Sequence, residues 1–271
     1  TGAARYVDDL PALPGTLVGM VVASPSSCGR ITRLDLEAAR ALPGVHAVLS
    51  SEEIPGAKKV GAIIHDEPLL AMGEVHFRGQ AVAFVVAEDL SICRAAAAAV
   101  VLEIEEAPAL FELASAIAAN SYHTTPHTIA RGDVSGALSR VMHVIEGEVA
   151  TGGQDHFYLE THAALVEPQE QGCYRVYSST QHPSEVQACV AEVLGIGRHQ
   201  VVCEVPRVGG GFGGKESQAS QFAALAALGA LHTGRAVKVW LDRDSDMIMT
   251  GKRHPFFSRY RAGFDASGML T

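Results

Sequence analysis

The sequence has no cluster of lysine or arginine, and its formal net charge at pH 7 is −9. Binding to nucleic acid or to an anionic membrane depends on concentrated positive charge, so we expect neither partner. Charged residues make up 19% of a chain that is 48% hydrophobic, a composition typical of a folded globular protein. A chain of 271 residues can bury a sizeable core, in one large domain or in two smaller ones.

Cysteines are few and widely separated, and no two of them form a C-x-x-C pair. The five are Cys28, Cys93, Cys173, Cys189 and Cys203. An odd number at this spacing predicts neither a disulfide framework nor a zinc or iron–sulfur site. No apolar run is long enough to cross a membrane, and the first residues, TGAARYVDD, do not have the pattern of a signal peptide. We therefore expect reduced cysteines in a cytoplasmic protein.

Strand and helix patterns predict an α+β fold with two domains. Residues 1–106 contain strand patterns such as GTLVGMVVA and helical patterns such as SICRAAAAAV, which together predict a small mixed α/β domain. Residues 107–139 mix short apolar stretches with Pro, Gly, Ser and Thr, and we interpret them as a linker. Residues 140–271 return to strands and helices, and they predict a second α+β domain.

The last residues predict a hairpin that is cut short. The stretch FFSRYRAGFDASGMLT alternates like a strand, turns at Asp265–Gly268 and stops where a second strand should begin. We therefore expect the second domain to be truncated.

The segment GGGFGGKE, residues 209–216, lies between a strand pattern and a helix pattern and fits more than one motif. Gly209, Gly211 and Gly214 match the G-x-G-x-x-G of a dinucleotide site, although the acidic residue expected about 20 positions later comes too late. The segment also matches a nucleotide-triphosphate loop, but Glu216 replaces the Ser or Thr that binds magnesium and would repel phosphate. A turn shaped only by packing is the plainest alternative.

A further interpretation fits the segment better. The backbone amides around Phe212 and Gly213 would face an anionic or oxo ligand, as amides near a helix N-terminus commonly do. Glu216, one step into the helix, would then select the substrate by its polarity.

A second polar segment, GGQDHFYLETH, occupies residues 152–162. As a strand it would place four side chains on one face: His156, Tyr158, Glu160 and His162. Such a face could bind zinc through its histidines and glutamate, or it could be solvated or hydrogen-bonded without a metal.

Together, GGGFGGKE and GGQDHFYLETH resemble the signatures of the molybdenum hydroxylases of the xanthine dehydrogenase type. The stretches VYSSTQHPSEVQACVAEVLGI and VWLDRDSDMIMTGKRHPFFSRYRAGF extend the resemblance over essentially the whole chain. It implies a hammerhead-like α/β domain followed by the N-terminal part of an α+β molybdopterin-binding domain. The chain departs from the family at Ser26–Gly29, where SPSSCGRI replaces a histidine-containing segment.

The resemblance implies a molybdenum–molybdopterin cofactor that is contacted by Gln154, Phe212 and Gly213. The Gln154 amide would donate a hydrogen bond to an oxygen on molybdenum, and Phe212 would lie against the metal centre, so both are near the metal without binding it directly. Glu216 would bind a purine, because related enzymes for aldehydes and carbon monoxide carry an apolar residue there. The implied reaction is the oxidation of hypoxanthine and xanthine to urate, with water as the oxygen source.

The resemblance also implies what lies outside this chain. The family's catalytic glutamate comes beyond residue 271, so we expect no catalytic base here and no activity from this chain alone. Iron–sulfur clusters and FAD are expected on a partner subunit or domain, in a dimer of heteromers when complete. The alternatives are a related hydroxylase of aldehydes or other N-heterocycles, an inert binding or assembly fragment, and an NAD-dependent dehydrogenase that uses Gly209, Gly211 and Gly214.

Overall fold

A computed structural model describes residues 2–270, which form two compact units. Unit 1 contains the residues up to Pro108 together with His156–Gly251, and unit 2 contains Ala109–Asp155 together with the residues from Lys252. Residues 1 and 271, the outer ends of the two predicted domains, lie outside the described residues. Strands and helices occur in both units, so the predicted α+β fold class is confirmed.

The strands follow the apolar patterns of the sequence. In chain order they are β1 (Leu17–Ala23), β2 (Gly29–Asp35), β3 (Val45–Leu49), β4 (Lys59–Val60), β5 (Glu67–Pro68), β6 (Glu74–Val75), β7 (Ala81–Ala87), β8 (Val101–Glu106), β9 (His143–Thr151), β10 (Ala163–Pro168), β11 (Tyr174–Ser178), β12 (Val201–Glu204), β13 (Val237–Trp240) and β14 (Phe256–Phe264). The helices are α1 (Glu37–Arg40), α2 (Leu90–Ala99), α3 (Leu113–Ala118), α4 (Val134–Leu138), α5 (Pro183–Leu194), α6 (Gln218–Thr233) and α7 (Arg243–Met249).

A seven-stranded mixed sheet forms the centre of unit 1, in the order β12, β11, β10, β13, β1, β7, β3. The pairs β11–β12 and β1–β13 are parallel, and the other neighbours are antiparallel. Strands from residues 1–106 and from residues 140–271 therefore share one sheet. The predicted domain boundaries at 106 and 139 stay a prediction, and the segment between them contains α3 and α4.

Helix α6 supplies much of the core of unit 1. Its residues from Ala219 to Ala230 are almost all buried, with Phe222, Leu225 and Leu228 as its largest side chains. A helix that is apolar on every side must lie in a core. It ends at Gly234, whose φ of 64° is the left-handed conformation that glycine adopts readily. Because α6 begins directly after the glycine segment, the buried helix fixes the C-terminal end of that segment.

Unit 2 is built on an antiparallel ribbon of β9 and β14, with Thr151 opposite Phe256 at one end and His143 opposite Phe264 at the other. Beyond β14 the chain turns back, so that Phe264 also pairs with Leu270 and the Asp265 amide donates to the Met269 carbonyl over 3.0 Å. The hairpin turn predicted at Asp265–Gly268 is confirmed. Within residues 2–270 the structure contains no helix that is both long enough and apolar enough to cross a membrane.

Candidate functional site

Residues 209–216, called the glycine loop below, lie in the connection between β12 and α6, and the tip of this loop is open to solvent. Phe212 is 75% exposed and has a φ of +53°, which is rare for a bulky residue. Gly213 has a φ of +88°, and a Cβ at this position would meet no atom within 4 Å. Glu216 is also exposed. A strained backbone facing open space is typical of a binding site.

Glu160 joins the two ends of the glycine loop. Its Oε2 accepts a hydrogen bond from the Gly209 amide over 2.8 Å and another from the Lys215 ammonium over 3.1 Å. Lys215 is fully buried, and its Nζ lies 4.7 Å from the centre of the Tyr158 ring. Burial lowers the pKa of Lys215, and the charge of Glu160 opposes that shift. The lysine side chain therefore points into unit 1, whereas the next side chain, Glu216, is exposed.

Gln181 binds the tip of the loop. Its Oε1 accepts from the amides of Gly213, over 3.0 Å, and Lys215, over 3.3 Å, and its own backbone amide donates to the Lys215 carbonyl over 2.8 Å. One of the two amides expected to face a ligand, that of Gly213, thus donates within the protein. The Phe212 amide makes no hydrogen bond within the part of the chain that the structure describes.

The same contacts favour neither nucleotide-binding interpretation of the loop. Lys215 points inward, away from any phosphate outside the loop. The three glycines of the dinucleotide motif lie so close to protein side chains that a Cβ would not fit. A Cβ at Gly209 would lie 2.4 Å from Glu160, and one at Gly211 would lie 2.3 Å from Gln181. A Cβ at Gly214 would lie 2.7 Å from His156. Packing therefore accounts for these three glycines, and the open position is Gly213.

The second polar segment is not a strand, so that prediction is wrong. Apart from an isolated bridge at Gln154, residues 152–162 have no strand structure, because Phe157 adopts a φ of +48° and interrupts the alternation. Tyr158 and His162 nevertheless point inward and are almost fully buried. Among residues 2–270 no group of three His, Cys, Asp or Glu side chains could bind a metal ion, so the zinc alternative is not supported.

Instead, Tyr158 and His162 form a buried network with Asp246. The Tyr158 hydroxyl donates to Oδ1 of Asp246 over 2.7 Å, and the His162 backbone amide donates to Oδ2 over 2.7 Å. Burial by itself would raise the pKa of Asp246, but hydrogen bonds from the ring and the backbone amide of His162, and from the Tyr158 hydroxyl, lower it. Burial lowers the pKa of His162. We therefore assign a neutral imidazole whose Nδ1–H donates to Oδ2 over 2.9 Å.

Gln154 lies in unit 2, whereas Phe212, Gly213 and Glu216 lie in unit 1. Its backbone exchanges two hydrogen bonds with Arg253, of 3.0 and 2.9 Å. Its side chain is exposed and makes no hydrogen bond to any other described residue. The backbone at Gln154 is therefore fixed while its amide group is open to a ligand.

The sequence did not predict that Gln181 binds the glycine loop. The strand order of the folded sheet does indicate it. Gln181 follows the carboxyl end of β11, and the glycine loop follows the carboxyl end of β12. These strands are parallel neighbours, so their carboxyl ends meet at the same edge of the sheet, where ligand sites commonly form in α/β proteins. The sequence alone does not show that the two strands are adjacent.

Residues 117–271 match the molybdopterin cofactor-binding domain family, and residues 1–108 match the α/β hammerhead domain of aldehyde oxidase and xanthine dehydrogenase. The first match covers more than half of the chain. The chain belongs to the molybdopterin cofactor-binding domain family. The predicted hammerhead-like domain and the resemblance to the molybdenum hydroxylases are confirmed.

Relatives of this family differ in the substrates that their names give. The whole chain is 42% identical to xanthine dehydrogenase from Drosophila subobscura and spans 20% of it. Its fold is similar to quinoline 2-oxidoreductase from Pseudomonas putida 86, with a TM-score of 0.85 and 27% identity over 99% of this chain and 36% of that chain. It is also similar to aldehyde oxidoreductase from Desulfovibrio gigas, with a TM-score of 0.87 and 26% identity over 99% of this chain and 32% of that chain.

The chain spans about a fifth of the length of the curated relatives that it matches. The family establishes a molybdopterin cofactor-binding domain.

Proposed function

We propose that this chain carries cofactor-contacting and substrate-binding residues of a molybdenum hydroxylase that oxidises hypoxanthine and xanthine to urate. One observation carries the proposal: within a molybdopterin cofactor-binding domain, the glycine loop presents Phe212, Gly213 and Glu216 to solvent. The 42% identity to a xanthine dehydrogenase over the whole chain supports the purine substrate.

Three residues fit the contacts that the cofactor needs. Phe212 has an amide without a hydrogen bond among residues 2–270, Gly213 leaves open space beside its backbone, and the Gln154 side-chain amide is exposed. When bound, the molybdenum–molybdopterin cofactor supplies the two-electron redox chemistry by which oxygen from water enters the ring. Gln154 would donate a hydrogen bond to the cofactor without competing as a metal ligand, and Phe212 would lie against the cofactor.

Glu216 would bind and orient the purine. Its carboxyl group can accept hydrogen bonds from ring N–H groups, or donate one when protonated, and so stabilise the charge that develops on the ring during hydroxylation. No residue of this chain is assigned as the catalytic base, which we place in the part of the enzyme beyond residue 271. A second candidate, hydroxylation of an aldehyde or another N-heterocycle, is supported by the similarity to quinoline and aldehyde oxidoreductases.

Iron–sulfur clusters and FAD would be carried by other domains or by a partner subunit, in a dimer of heteromers. The cysteines here support this division, because all five are free and, among residues 2–270, no group of three His, Cys, Asp or Glu side chains could bind a metal ion. An iron–sulfur cluster needs several thiolates gathered at one place. Free cysteines are also what a cytoplasmic location would produce.

The experiment is to purify the complete enzyme that contains this chain, measure its molybdenum content and supply hypoxanthine in water enriched in oxygen-18. We expect about one molybdenum per copy of this chain, since each copy has a single cofactor-binding domain, and labelled oxygen in the urate. An enzyme without molybdenum, or urate that carries only unlabelled oxygen, would contradict the proposal.

A further inference from the structure

We propose that the buried pair Glu160–Lys215, together with Gln181, positions Glu216 for substrate binding. This inference rests on the proposed function, in which Glu216 contacts the purine. The three residues would act through the glycine loop and would not touch substrate themselves, so they are positioning residues.

The pair joins the loop at both of its ends. A single carboxylate oxygen, Oε2 of Glu160, lies 2.8 Å from the Gly209 nitrogen and 3.1 Å from the Lys215 ammonium. The side chain of Lys215 is 0% exposed and that of Glu160 is 9% exposed. Solvent and salt screen such a buried pair far less than an exposed one, so the distance between the loop ends is strongly restrained.

The direction of Glu216 follows from the direction of Lys215. The lysine side chain passes into unit 1, where its Nζ lies over the ring of Tyr158 as well as beside Glu160. The next side chain along the chain is exposed. If Glu160 lost its charge, a charged Lys215 would be stable only nearer to solvent, and moving its side chain there would change the turn just before Glu216.

Stability alone does not explain a buried ion pair at this place. Removing two charges from water is costly, and replacing a buried pair with apolar residues of similar size is often neutral or stabilising. Here the second oxygen of the carboxylate, Oε1, makes no hydrogen bond among the described residues. The cost of removing the Glu160 carboxylate from water is therefore offset mainly by its hydrogen bonds to two loop residues, Gly209 and Lys215. The interaction contributes a fixed loop geometry more than it contributes net stability.

Gln181 restrains the same loop at its tip. Its Oε1 accepts from two loop amides, those of Gly213 and Lys215. Unlike the buried pair, Gln181 is exposed, so truncating it removes the restraint on the tip with little risk to folding.

The test uses the complete enzyme that contains this chain, with the variants Glu160→Gln and Gln181→Ala. The matched control is Glu105→Gln, which breaks the exposed pair between Arg30 and Glu105. In both test variants we expect hydrogen–deuterium exchange of the peptide covering residues 209–216 to be at least about tenfold faster. Gln181→Ala removes the acceptor of two loop amides, and Glu160→Gln removes the charge that pairs with Lys215. The control should leave this exchange unchanged.

Kinetics then test whether the loop acts through Glu216. We expect the purine KM to rise by about tenfold, a change of about 1.4 kcal/mol, with a smaller change in kcat and with the molybdenum content retained. In a Glu216→Val background, the same two substitutions should raise the purine KM no further, because the contact that they position is already lost.

Each result has one meaning. Unchanged exchange in residues 209–216 would show that Glu160 and Gln181 do not restrain the loop. Faster exchange with an unchanged purine KM would overturn the positioning role. If Glu216→Val alone leaves purine kinetics unchanged, the purine-binding role of Glu216 fails, whereas the exchange data still report on the restraint. If Glu160→Gln does not fold, Gln181→Ala gives the same readouts.

Discussion

Ion pairs occur both at the glycine loop of unit 1 and on the β9–β14 ribbon of unit 2, and the two regions differ in burial more than in distance. Lys215 and Glu160 lie 3.1 Å apart with side chains 0% and 9% exposed. Arg259 and Glu148 lie 2.6 Å apart with side chains 74% and 57% exposed. The shorter contact is the weaker restraint, because water and salt screen it. Of these two ion pairs, only the buried one strongly restrains the backbone around it.

The largest expected effect is at Asp246, which anchors the buried network of unit 1. Asp246→Ala removes the acceptor of Tyr158 and of the His162 amide and ring. Leaving these groups buried without a partner should reduce the free energy of unfolding by about 3–5 kcal/mol. Urea denaturation of the wild type and the variant measures this loss in the free energy of unfolding. The matched control, Asp244→Ala, changes an exposed residue of the same helix and should cost less than about 0.5 kcal/mol; equal losses in the two variants would break the comparison.

The buried network also predicts acid sensitivity. The pKa of Asp246 is lowered from 3.8 to about 2 in the folded protein. Its stabilising contribution is therefore present above the unfolded-state pKa of about 4 and is lost as the pH falls through about 2. The difference in unfolding free energy between the wild type and Asp246→Asn should shrink over this window. A difference that stays constant between pH 5 and pH 2 would show that the carboxylate charge contributes nothing.

The smallest expected effect is on the ribbon. Glu148→Gln breaks the exposed pair with Arg259 and should cost only about 0.2–1 kcal/mol, less in concentrated salt. Thermal or urea denaturation at low and high ionic strength measures this loss. If Glu148→Gln destabilised the protein as much as Asp246→Ala, burial would not be what separates the two regions.

The parts of the site that the sequence predicts are local. The order of β12, glycine loop, α6 and β13 follows from apolar patterns and from the glycines themselves, and the exposed tip with Phe212 and Glu216 lies within a single contiguous segment. The hairpin turn at Asp265–Gly268 is local in the same way. Short-range preferences determine such features, so one sequence is enough to predict them.

The parts that the sequence did not predict depend on distant contacts. Lys215 points inward because Glu160, 55 positions earlier, accepts its hydrogen bond, and Gln181 reaches the loop because β11 lies beside β12. A strand over residues 152–162 would place His156, Tyr158, Glu160 and His162 on one face, yet Phe157 has a positive φ and the segment is irregular. The contacts of Tyr158 and His162 with Asp246, more than 80 positions later, override a prediction made from the local sequence.

The most direct test of the account is the substrate preference of Glu216→Val in the complete enzyme that contains this chain. If Glu216 binds the purine, kcat/KM for hypoxanthine should fall by about 10- to 100-fold, the loss of a charge-assisted hydrogen bond worth about 1.5–3 kcal/mol. The kcat/KM for an aldehyde should fall much less or should rise. An unchanged ratio of purine to aldehyde turnover would contradict the assignment of Glu216 as the purine-binding residue.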